Sequence, residues 1–370
     1  MAAPPSPIRT VPGVGEPAPR FEALSDTNPR FSFEMVVGRY IVMGFLGSAG
    51  AGHAMAPLAA MAANRQLFDD ANFSLFWVTI DPDDRANGRV GDALPGVRVF
   101  WDFDASVSQL WGAADAAGPA QHQPMWFVVD PQLRILMVLP MAQTYQLLTA
   151  LHQLPPPGLH AGCPVAAPVL ILPRVFEPEF CRELIDIFKA GNSFESGFMR
   201  QVGEKTLLVK DYAQKRRRDV FIEDVPTQDR IRAIMRTRLR PEIERAFQFR
   251  LTRIERYLVS CYDAEDGGHF RAHRDNTSTG TAHRRFAVSI NLNAEDYHGG
   301  DLVFPEFGMQ TYRPPTGGAA IFSCSLMHEA RPVTRGQRFV FVPFLYDEAG
   351  EALRLANLHT LDERLRGGSP

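Results

Sequence analysis

The sequence predicts two folded domains, an α/β domain followed by a mainly β domain of the jelly-roll type. Its 370 residues are too many for one ordinary core and suit two. Short apolar segments alternate with helical ones in the first part, whereas many short strands separated by Gly, Pro and Asn dominate the last part. Consecutive prolines at 155–157 stiffen the chain between them.

The proline-rich stretch sets the predicted boundaries. We expect a first domain over residues 1–153, a linker over 154–166, a second domain over 167–348 and a C-terminal tail over 349–370. The charge distribution favours this division, because residues 1–160 contain 9 arginines, no lysine and 14 acidic residues. The remaining residues carry 30 basic and 28 acidic side chains.

Apolar periodicity predicts the elements of each domain. In the first domain we expect a helix over 54–68 and strands over 39–45, 73–80, 97–101, 125–129 and 135–139. The second domain opens with a strand over 167–172 and a flanking helix over 177–190. Further strands are expected over 257–262, 286–292, 302–304, 319–323 and 338–345. The order therefore places helices before a barrel-like antiparallel sheet.

Composition excludes several functional classes. The chain is 45% hydrophobic and 22% charged, and no apolar run approaches the roughly 20 residues that span a bilayer. Residues 1–10 lack the apolar segment of a secretory signal, so we expect a cytoplasmic protein. A net charge of -3 gives no general attraction to nucleic acid or anionic membranes. The four cysteines lie far apart, which disfavours a zinc knuckle, a dithiol motif or a disulfide framework.

Two side chains of the second domain point to a metal site. His273 and Asp275 are alternate residues of an extended segment, so both side chains reach the same side. An imidazole and a carboxylate placed in this way can bind one metal ion. The triplet alone is also compatible with ordinary surface polar residues.

Two later residues strengthen the metal interpretation. His328 would complete a set of two histidines and one carboxylate, which leaves open positions on iron. Arg338 follows ten residues later, beyond a predicted turn over 332–336, so its strand should return beside His328. A guanidinium there can bind a carboxylate through two parallel hydrogen bonds. The alternative is an edge-strand arginine on the surface.

With these residues in place, the region 167–348 resembles the prolyl 4-hydroxylase-like branch of the 2-oxoglutarate/Fe(II) dioxygenases. The segments that carry the resemblance are Tyr262, the run 267–275 (GGHFRAHRD), Leu292 with Asn293, the run 299–305 (GGDLVFP), His328, Pro332 with Val333, Gly336 and Arg338. The resemblance implies a double-stranded β-helix, or jelly roll.

The resemblance also implies roles for the site residues. His273, Asp275 and His328 would hold Fe(II), and Arg338 would bind the cosubstrate 2-oxoglutarate. Many members have Lys at that last position. Tyr262 would donate a hydrogen bond to the cosubstrate, although it stands eleven residues before His273, farther than the commonest family spacing. A packed strand tyrosine is the alternative for Tyr262.

The implied activity is that of an oxidoreductase, a dioxygenase that hydroxylates its substrate while 2-oxoglutarate is converted to succinate and CO2. Ascorbate is a candidate reductant. The substrate is unidentified and is either a small molecule or a protein. The alternative is a non-catalytic binding or sensing protein that retains the iron site. Succinate release in the presence of iron separates the two.

Two basic clusters stand near the predicted site in sequence. The run 215–218 (KRRR) is interpreted mainly as a solvated face, with substrate contact as the alternative. Arg284 and Arg285 are neighbours on a strand, so at most one of them faces the iron pocket. If a basic residue does face it, the substrate should be acidic or carbonyl-rich.

The first domain resembles a thioredoxin-fold domain of the peroxiredoxin type, from the run 15–21 (GEPAPRF) and the buried-strand segments 40–45, 76–80 and 125–130. Peroxidases of this fold use a thiolate at the turn before the first helix. This chain has no cysteine before Cys163, so we expect a redox-inactive domain. Ser48 is interpreted as a helix cap rather than as a nucleophile paired with His53.

Overall fold

The computed structural model describes residues 11–115 and 122–361. The chain divides into two compact units between Ala166 and Ala167, with Glu306–Gly308 grouped with the first. Within the described ranges, no helix is long and apolar enough to cross a membrane.

The first unit is α/β, as predicted. Its strands are β1 (Glu22–Ala23), β2 (Phe31–Ser32), β3 (Tyr40–Gly47), β4 (Phe73–Thr79), β5 (Val97–Trp101), β6 (Met125–Val129) and β7 (Ile135–Pro140). Its helices are α1 (Gly52–Ala63), α2 (Pro82–Ala86), α3 (Ser106–Leu110) and α4 (Thr144–Gln153). Five strands form one sheet in the order β5-β4-β3-β6-β7. Strands β3, β4 and β5 are parallel, whereas β6 and β7 are antiparallel to their neighbours.

Burial explains why these strands could be predicted. All eight residues of β3 are buried, as expected for a central strand that is covered on both faces. Helix α1 stops earlier than the predicted 54–68. Its last turn is closed by Asn64, whose side-chain amide donates a 2.9 Å hydrogen bond to the carbonyl of Ala60. Asparagine binds nearby backbone groups in this way at the ends of helices.

The second unit is mainly β with flanking helices, also as predicted. Its strands are β8 (Leu170–Leu172), β9 (Phe194–Glu195), β10 (Phe198–Val202), β11 (Lys205–Val209), β12 (Lys215–Arg216), β13 (Arg218–Phe221), β14 (Arg253–Glu255), β15 (Leu258–Asp263), β16 (His269–His273), β17 (Phe286–Asn291), β18 (His298–Gly299), β19 (Leu302–Val303), β20 (Thr311–Tyr312), β21 (Ala319–Ser323), β22 (His328–Ala330), β23 (Val333–Arg335), β24 (Gln337–Phe341) and β25 (Phe344–Tyr346). Its helices are α5 (Pro178–Ala190), α6 (Val225–Ile234), α7 (Arg240–Phe247) and α8 (Glu348–Asn357).

Two antiparallel sheets organise this unit. The larger sheet runs β14-β25-β17-β24-β15-β13-β9, with β21 paired to β17 and β8 paired to β21. The smaller sheet runs β12-β16-β22-β19-β20. Residue 217 lies between β12 and β13, so the chain passes from the smaller sheet to the larger one at that point.

Strand alternation gives the larger sheet two different faces. One face is apolar and shares a core with α5, α6 and α7. It is formed by Val259, Cys261, Val288, Ile290, Phe339 and Phe341. The intervening residues point the other way and are largely polar. They include Ser260, Tyr262, Ser289, Asn291 and Arg338. We call this second surface the polar face.

Several predicted boundaries differ from the structure. The strand expected over 338–345 is split into β24 and β25, because Pro343 between them has no amide hydrogen to donate to a ladder. Strands β9 to β13 were not predicted. The segment 349–370, expected to be a tail, begins within α8, where Arg253 and Glu348 form an ion pair with a closest separation of 2.9 Å. Residues 362–370 lie outside the described ranges.

Gly44 in the centre of β3 provides a test of the first core. A Cβ added there would lie 2.5 Å from the ring of Trp126 and 2.6 Å from that of Trp77, both buried. We expect Gly44→Ala to lower the free energy of unfolding of the first unit by about 1–3 kcal/mol, as overpacking does. Tryptophan fluorescence in urea measures this directly, because all four tryptophans lie at or before residue 126.

Gly52→Ala is the matched control. A Cβ at Gly52 meets nothing within 4 Å, and alanine favours a helix more than glycine does. The control should unfold at the same or higher urea concentration than the wild type. Equal stability of Gly44→Ala and wild type would show that the rings of Trp77 and Trp126 do not pack closely against Gly44.

Candidate metal centre

Antiparallel pairing of β16 with β22 brings the two predicted histidines together. His273 stands directly opposite His328 in the ladder, and Asp275 follows two residues after the end of β16. The three side chains offer ligand atoms that all lie within 4.8 Å of one another. The structure therefore places the three predicted metal residues in one cluster.

The ligand atoms converge on a common space. His273 Nε2 lies 3.5 Å from Asp275 Oδ1, and His328 Nε2 lies 3.4 Å from Asp275 Oδ2. The other ring nitrogens face backbone carbonyls, at 2.8 Å from Arg271 O and 3.1 Å from Leu326 O. Because a carbonyl oxygen only accepts, each Nδ1 must carry the hydrogen. Each Nε2 then has a free lone pair for a metal ion.

The protonation states of the cluster also favour a metal ion. Burial and, after it, the neighbouring His273 lower the pKa of His328 to about 4, so the ring is neutral near pH 7. Burial opposes the charged form of Asp275, but His328 and then His273 outweigh it and hold the pKa of that carboxyl well below the ordinary value. Two imidazoles whose Nε2 atoms lie beside one carboxylate make a site that a divalent cation would complete.

A buried ion-pair network stands behind Asp275. Arg284 donates hydrogen bonds of 2.9 and 2.6 Å to the two carboxylate oxygens of Glu255, and His283 Nε2 lies 2.9 Å from the same carboxylate. Arg284 also lies 3.4 Å from the backbone oxygen of Asp275. Of the predicted arginine pair, Arg284 is therefore the buried member. Glu255 was missed because nothing in its local sequence links it to the HxD segment.

Arg338 is a buried cation on the polar face. It is 3% exposed, and its guanidinium donates to Ser289 Oγ at 3.1 Å and to Asn291 Oδ1 at 3.4 Å. Its Nε is buried and has no hydrogen-bond partner. In the part of the chain that the structure describes, no carboxylate forms an ion pair with it. A buried guanidinium without a counter-ion is suited to an anionic ligand.

Tyr262 lies beside Arg338 on the polar face, directly opposite it in the ladder between β15 and β24. The Arg338 guanidinium carbon is 5.2 Å from the centre of the Tyr262 ring, and that of Arg217 is 5.8 Å away. The tyrosine is thus a packed interior residue and also a direct neighbour of the anion-binding candidate. The geometry is compatible with both predictions for Tyr262, a hydrogen-bond donor to the cosubstrate and a packed strand tyrosine.

The sequence predicted that the basic run 215–218 is mainly a solvated face. The structure instead buries two of its four side chains. Lys215 is 5% exposed, and the side chain of Arg217 is 6% exposed. Arg216 and Arg218 are exposed. The prediction was wrong for Lys215 and Arg217 because the run crosses from one sheet to the other, which sends alternate side chains inward.

The turn before α1 in the first unit contains no nucleophilic pair. Ser48 donates a 2.7 Å hydrogen bond to Asp81, while His53 Nε2 lies 2.9 Å from the backbone oxygen of Leu46. Ser48 was also wrongly expected to cap the helix, because the residue at the cap position is Ala51. Arg89 joins this network by an ion pair with Asp81 at 3.2 Å.

Comparison with known proteins links one segment to a family. Residues 257–346 match the model of the 2OG-Fe(II) oxygenase superfamily. A PKHD-type hydroxylase from Synechococcus sp. (strain JA-2-3B'a(2-13)) is 32% identical over 98 residues, covering 25% of this chain and 43% of that protein. The chain thus spans less than half the length of this relative. The family match confirms the resemblance predicted from the site residues.

Two solved structures are also similar to this chain. The Trichoplax adhaerens prolyl hydroxylase in complex with a hypoxia inducible factor peptide is 18% identical, with a TM-score of 0.38 over 57% of this chain and 96% of that one. Mycobacterium tuberculosis AhpC is 17% identical, with a TM-score of 0.32 over 39% of this chain and 93% of that one. Scores this low do not establish a shared fold.

The superfamily match implies Fe(II) and 2-oxoglutarate, and the described residues fit both. Two free Nε2 lone pairs and one carboxylate suit Fe(II) and leave it open positions. The unpaired Nε of Arg338 and its hydroxyl and amide neighbours suit a carboxylate. The metal centre and the anion site therefore use different side chains.

Metal binding should depend on Asp275 more than on other carboxylates. We expect Asp275→Asn to weaken Fe(II) or Mn(II) binding by more than about 100-fold, because even the loss of a residue that only supports a ligand costs 10- to 100-fold. Anaerobic calorimetric titration with each metal gives the affinity. The control is Glu265→Gln, which removes an exposed carboxylate from the loop before β16. Equal binding by Asp275→Asn and the control would place the metal elsewhere.

Proposed function

We propose that this chain is an Fe(II)- and 2-oxoglutarate-dependent dioxygenase whose second unit is a jelly-roll oxygenase domain of the 2OG-Fe(II) superfamily. The observation that supports this best is the combination of two sites in one unit. His273, Asp275 and His328 converge as a metal cluster, and Arg338 lies buried without a counter-ion on the polar face. A metal site with only a structural role would not need a buried arginine without a counter-ion in the same unit.

In this proposal each residue has a definite task. His273 and His328 bind iron through Nε2, and the carboxylate of Asp275 is the third ligand. Bound iron supplies the activation of dioxygen and the oxidation of substrate, with 2-oxoglutarate as the source of electrons. Arg338 fixes the far carboxylate of 2-oxoglutarate by charge-assisted hydrogen bonds, and Ser289 and Asn291 orient the guanidinium. Tyr262 lies beside that cation, and in this proposal it donates a hydrogen bond to the cosubstrate.

The usual result of this chemistry is hydroxylation of a substrate with release of succinate and CO2. The substrate is a small molecule or a protein. The partial similarity to the PKHD-type hydroxylase from Synechococcus sp. is consistent with hydroxylation. A non-catalytic binding or sensing role is not favoured, because the metal cluster and Arg338 are both intact.

We further propose that residues 1–153 form a redox-inactive thioredoxin-like domain, followed by a linker over 154–166 and the oxygenase over 167–348. The five-stranded mixed sheet of the first unit supports this assignment. So does the turn after β3, where Ser48 is hydrogen-bonded to Asp81 and where no cysteine is present. The cytoplasmic location stays a prediction from the sequence.

Cosubstrate binding should depend on Arg338. We expect Arg338→Ala to weaken 2-oxoglutarate binding roughly 10- to 150-fold, since hydrogen bonds to a charged group contribute about 1.5–3 kcal/mol. Iron affinity should change little, because Arg338 is not among the metal residues. Anaerobic titration with 2-oxoglutarate in the presence of Fe(II) measures the effect. Arg338→Lys keeps the charge and should recover part of the affinity. Unchanged affinity in the alanine variant would move the anion site elsewhere.

The full-length protein should show no thiol peroxidase activity in its first unit. All four cysteines lie at or beyond residue 163, and burial raises the pKa values of the Cys181 and Cys261 thiols to about 12. Only Cys163 is exposed among them. The wild-type protein, the Cys163→Ser variant and a protein-free control should therefore consume peroxide at the same rate in the presence of a thiol reductant. Consumption that persists in Cys163→Ser would contradict the inactive assignment.

A further inference from the structure

Lys215 is a buried cation whose charge is not matched by a carboxylate. Its ammonium donates hydrogen bonds to Ser196 Oγ at 2.8 Å and to the backbone oxygen of Gly197 at 2.7 Å. Both acceptors are neutral. Among residues 11–115 and 122–361, no carboxylate forms an ion pair with Lys215. Burial and, after it, Arg217 together lower the pKa of this lysine well below its usual value, so its charged form needs a nearby anion. An ammonium in this setting is stabilised by a nearby anion.

The neighbouring charges are already paired. Arg217 donates a 2.7 Å hydrogen bond to Asp219 Oδ2, and Ser260 donates one of 2.7 Å to Asp219 Oδ1. This pair is buried, with side-chain exposures of 6% for Arg217 and 3% for Asp219. The other acid that acts on Lys215 is Asp275, which the proposed iron would neutralise. Lys215 and Arg256, another cation that acts on it, therefore have no ion-pair partner among the described residues.

Lys215 lies close to the proposed iron site. It stands opposite Phe270 in the ladder between β12 and β16, and its ammonium is 4.6 Å from the centre of the Phe270 ring. That ring stacks on the ring of His273, with 3.4 Å between centres. One aromatic ring thus separates the lysine from a metal residue.

There is also space beside this lysine. A cavity of about 370 Å³ is bordered by Ser196 and by the basic run 215–218, so the segment that carries the buried cations borders an open volume. Its lining is of mixed charge, because it also includes the carboxylates of Glu195, Asp211, Asp263 and Asp266. A cavity of this size accommodates a small molecule or one side chain with its flanking backbone. None of the three metal residues lines this cavity. It is therefore a separate volume from the metal cluster.

We propose that Lys215 binds a carboxylate of the oxygenase substrate, with Ser196 as its hydrogen-bonding neighbour, and that the substrate is therefore an anionic compound or an acidic peptide segment. This inference rests on the proposed function. It narrows the substrate to molecules long enough to place a carboxylate at Lys215 and the carbon to be oxidised at the metal residues, which do not line the same cavity. The alternative role of Lys215 is structural, as a tie between β12 and the segment at Ser196 and Gly197.

Matched pairs of probes test the charge requirement without knowledge of the natural substrate. The full-length protein, loaded with Fe(II) and 2-oxoglutarate without oxygen, is titrated calorimetrically with N-acetyl amino acids and with the corresponding N-acetyl amino amides. Each pair differs only in the terminal carboxylate. We expect at least one acid to bind roughly 10- to 150-fold more tightly than its amide, the range for a hydrogen-bonded charged group.

Three variants assign the preference to one residue. Lys215→Met removes the charge at similar length and should abolish the preference for acids, whereas Lys215→Arg should restore part of it. Lys189→Met removes an exposed lysine at the end of α5 and should leave the preference unchanged. A purely structural Lys215 would show its loss as lower stability without any change in the ratio of acid to amide affinity.

The outcomes separate this inference from the proposed function. Equal binding of acids and amides by the wild type, or an undiminished preference in Lys215→Met, overturns the inference. If Lys215→Met does not fold, the ratio of acid to amide affinity in the wild type and in Lys215→Arg still tests the role of Lys215. Wild-type protein that binds Fe(II) and 2-oxoglutarate but shows no preference for acids refutes only the role of Lys215. Wild-type protein that binds neither refutes the proposed function itself.

Discussion

The pairing of β16 with β22 is the interaction on which the candidate site depends. It sets His273 opposite His328 and leaves Asp275 just beyond the strand end, where its carboxylate faces both rings. Each Nδ1 is fixed by a backbone carbonyl, so both rings present Nε2 inward. A largely buried carboxylate beside two imidazoles is costly unless a cation joins them. The arrangement of these three side chains therefore favours a bound metal ion.

The two faces of the larger sheet explain why the metal and anion sites coexist. The apolar face joins α5, α6 and α7 and supplies the core, while the polar face holds Tyr262 and Arg338. Room for the arginine depends on Gly300, where an added Cβ would lie 3.0 Å from Arg338 Cδ. Gly300 also has a φ of +70°, which residues with a side chain rarely adopt. The segment 299–305 thus contributes to the site through its backbone.

The sequence allowed prediction of the parts that depend on local pattern. The central strands β3 and β6 of the first sheet are continuous apolar runs because both of their faces are buried, and the HxD spacing lies within one extended segment. Other features depend on distant pairing. The burial of Lys215 and Arg217 follows from the passage between two sheets, which a run of four basic residues does not reveal. Glu255 contacts Arg284 across 29 positions, so no local signal could link them.

The central claim is that this chain couples the conversion of 2-oxoglutarate to iron. The most direct measurement incubates the full-length protein with 2-oxoglutarate in air, with and without Fe(II), and quantifies 2-oxoglutarate consumed and succinate and CO2 formed. The account predicts equal amounts of all three, only when Fe(II) is present and above the rate without protein. Iron-loaded protein that binds 2-oxoglutarate but forms no succinate above the protein-free control would contradict it.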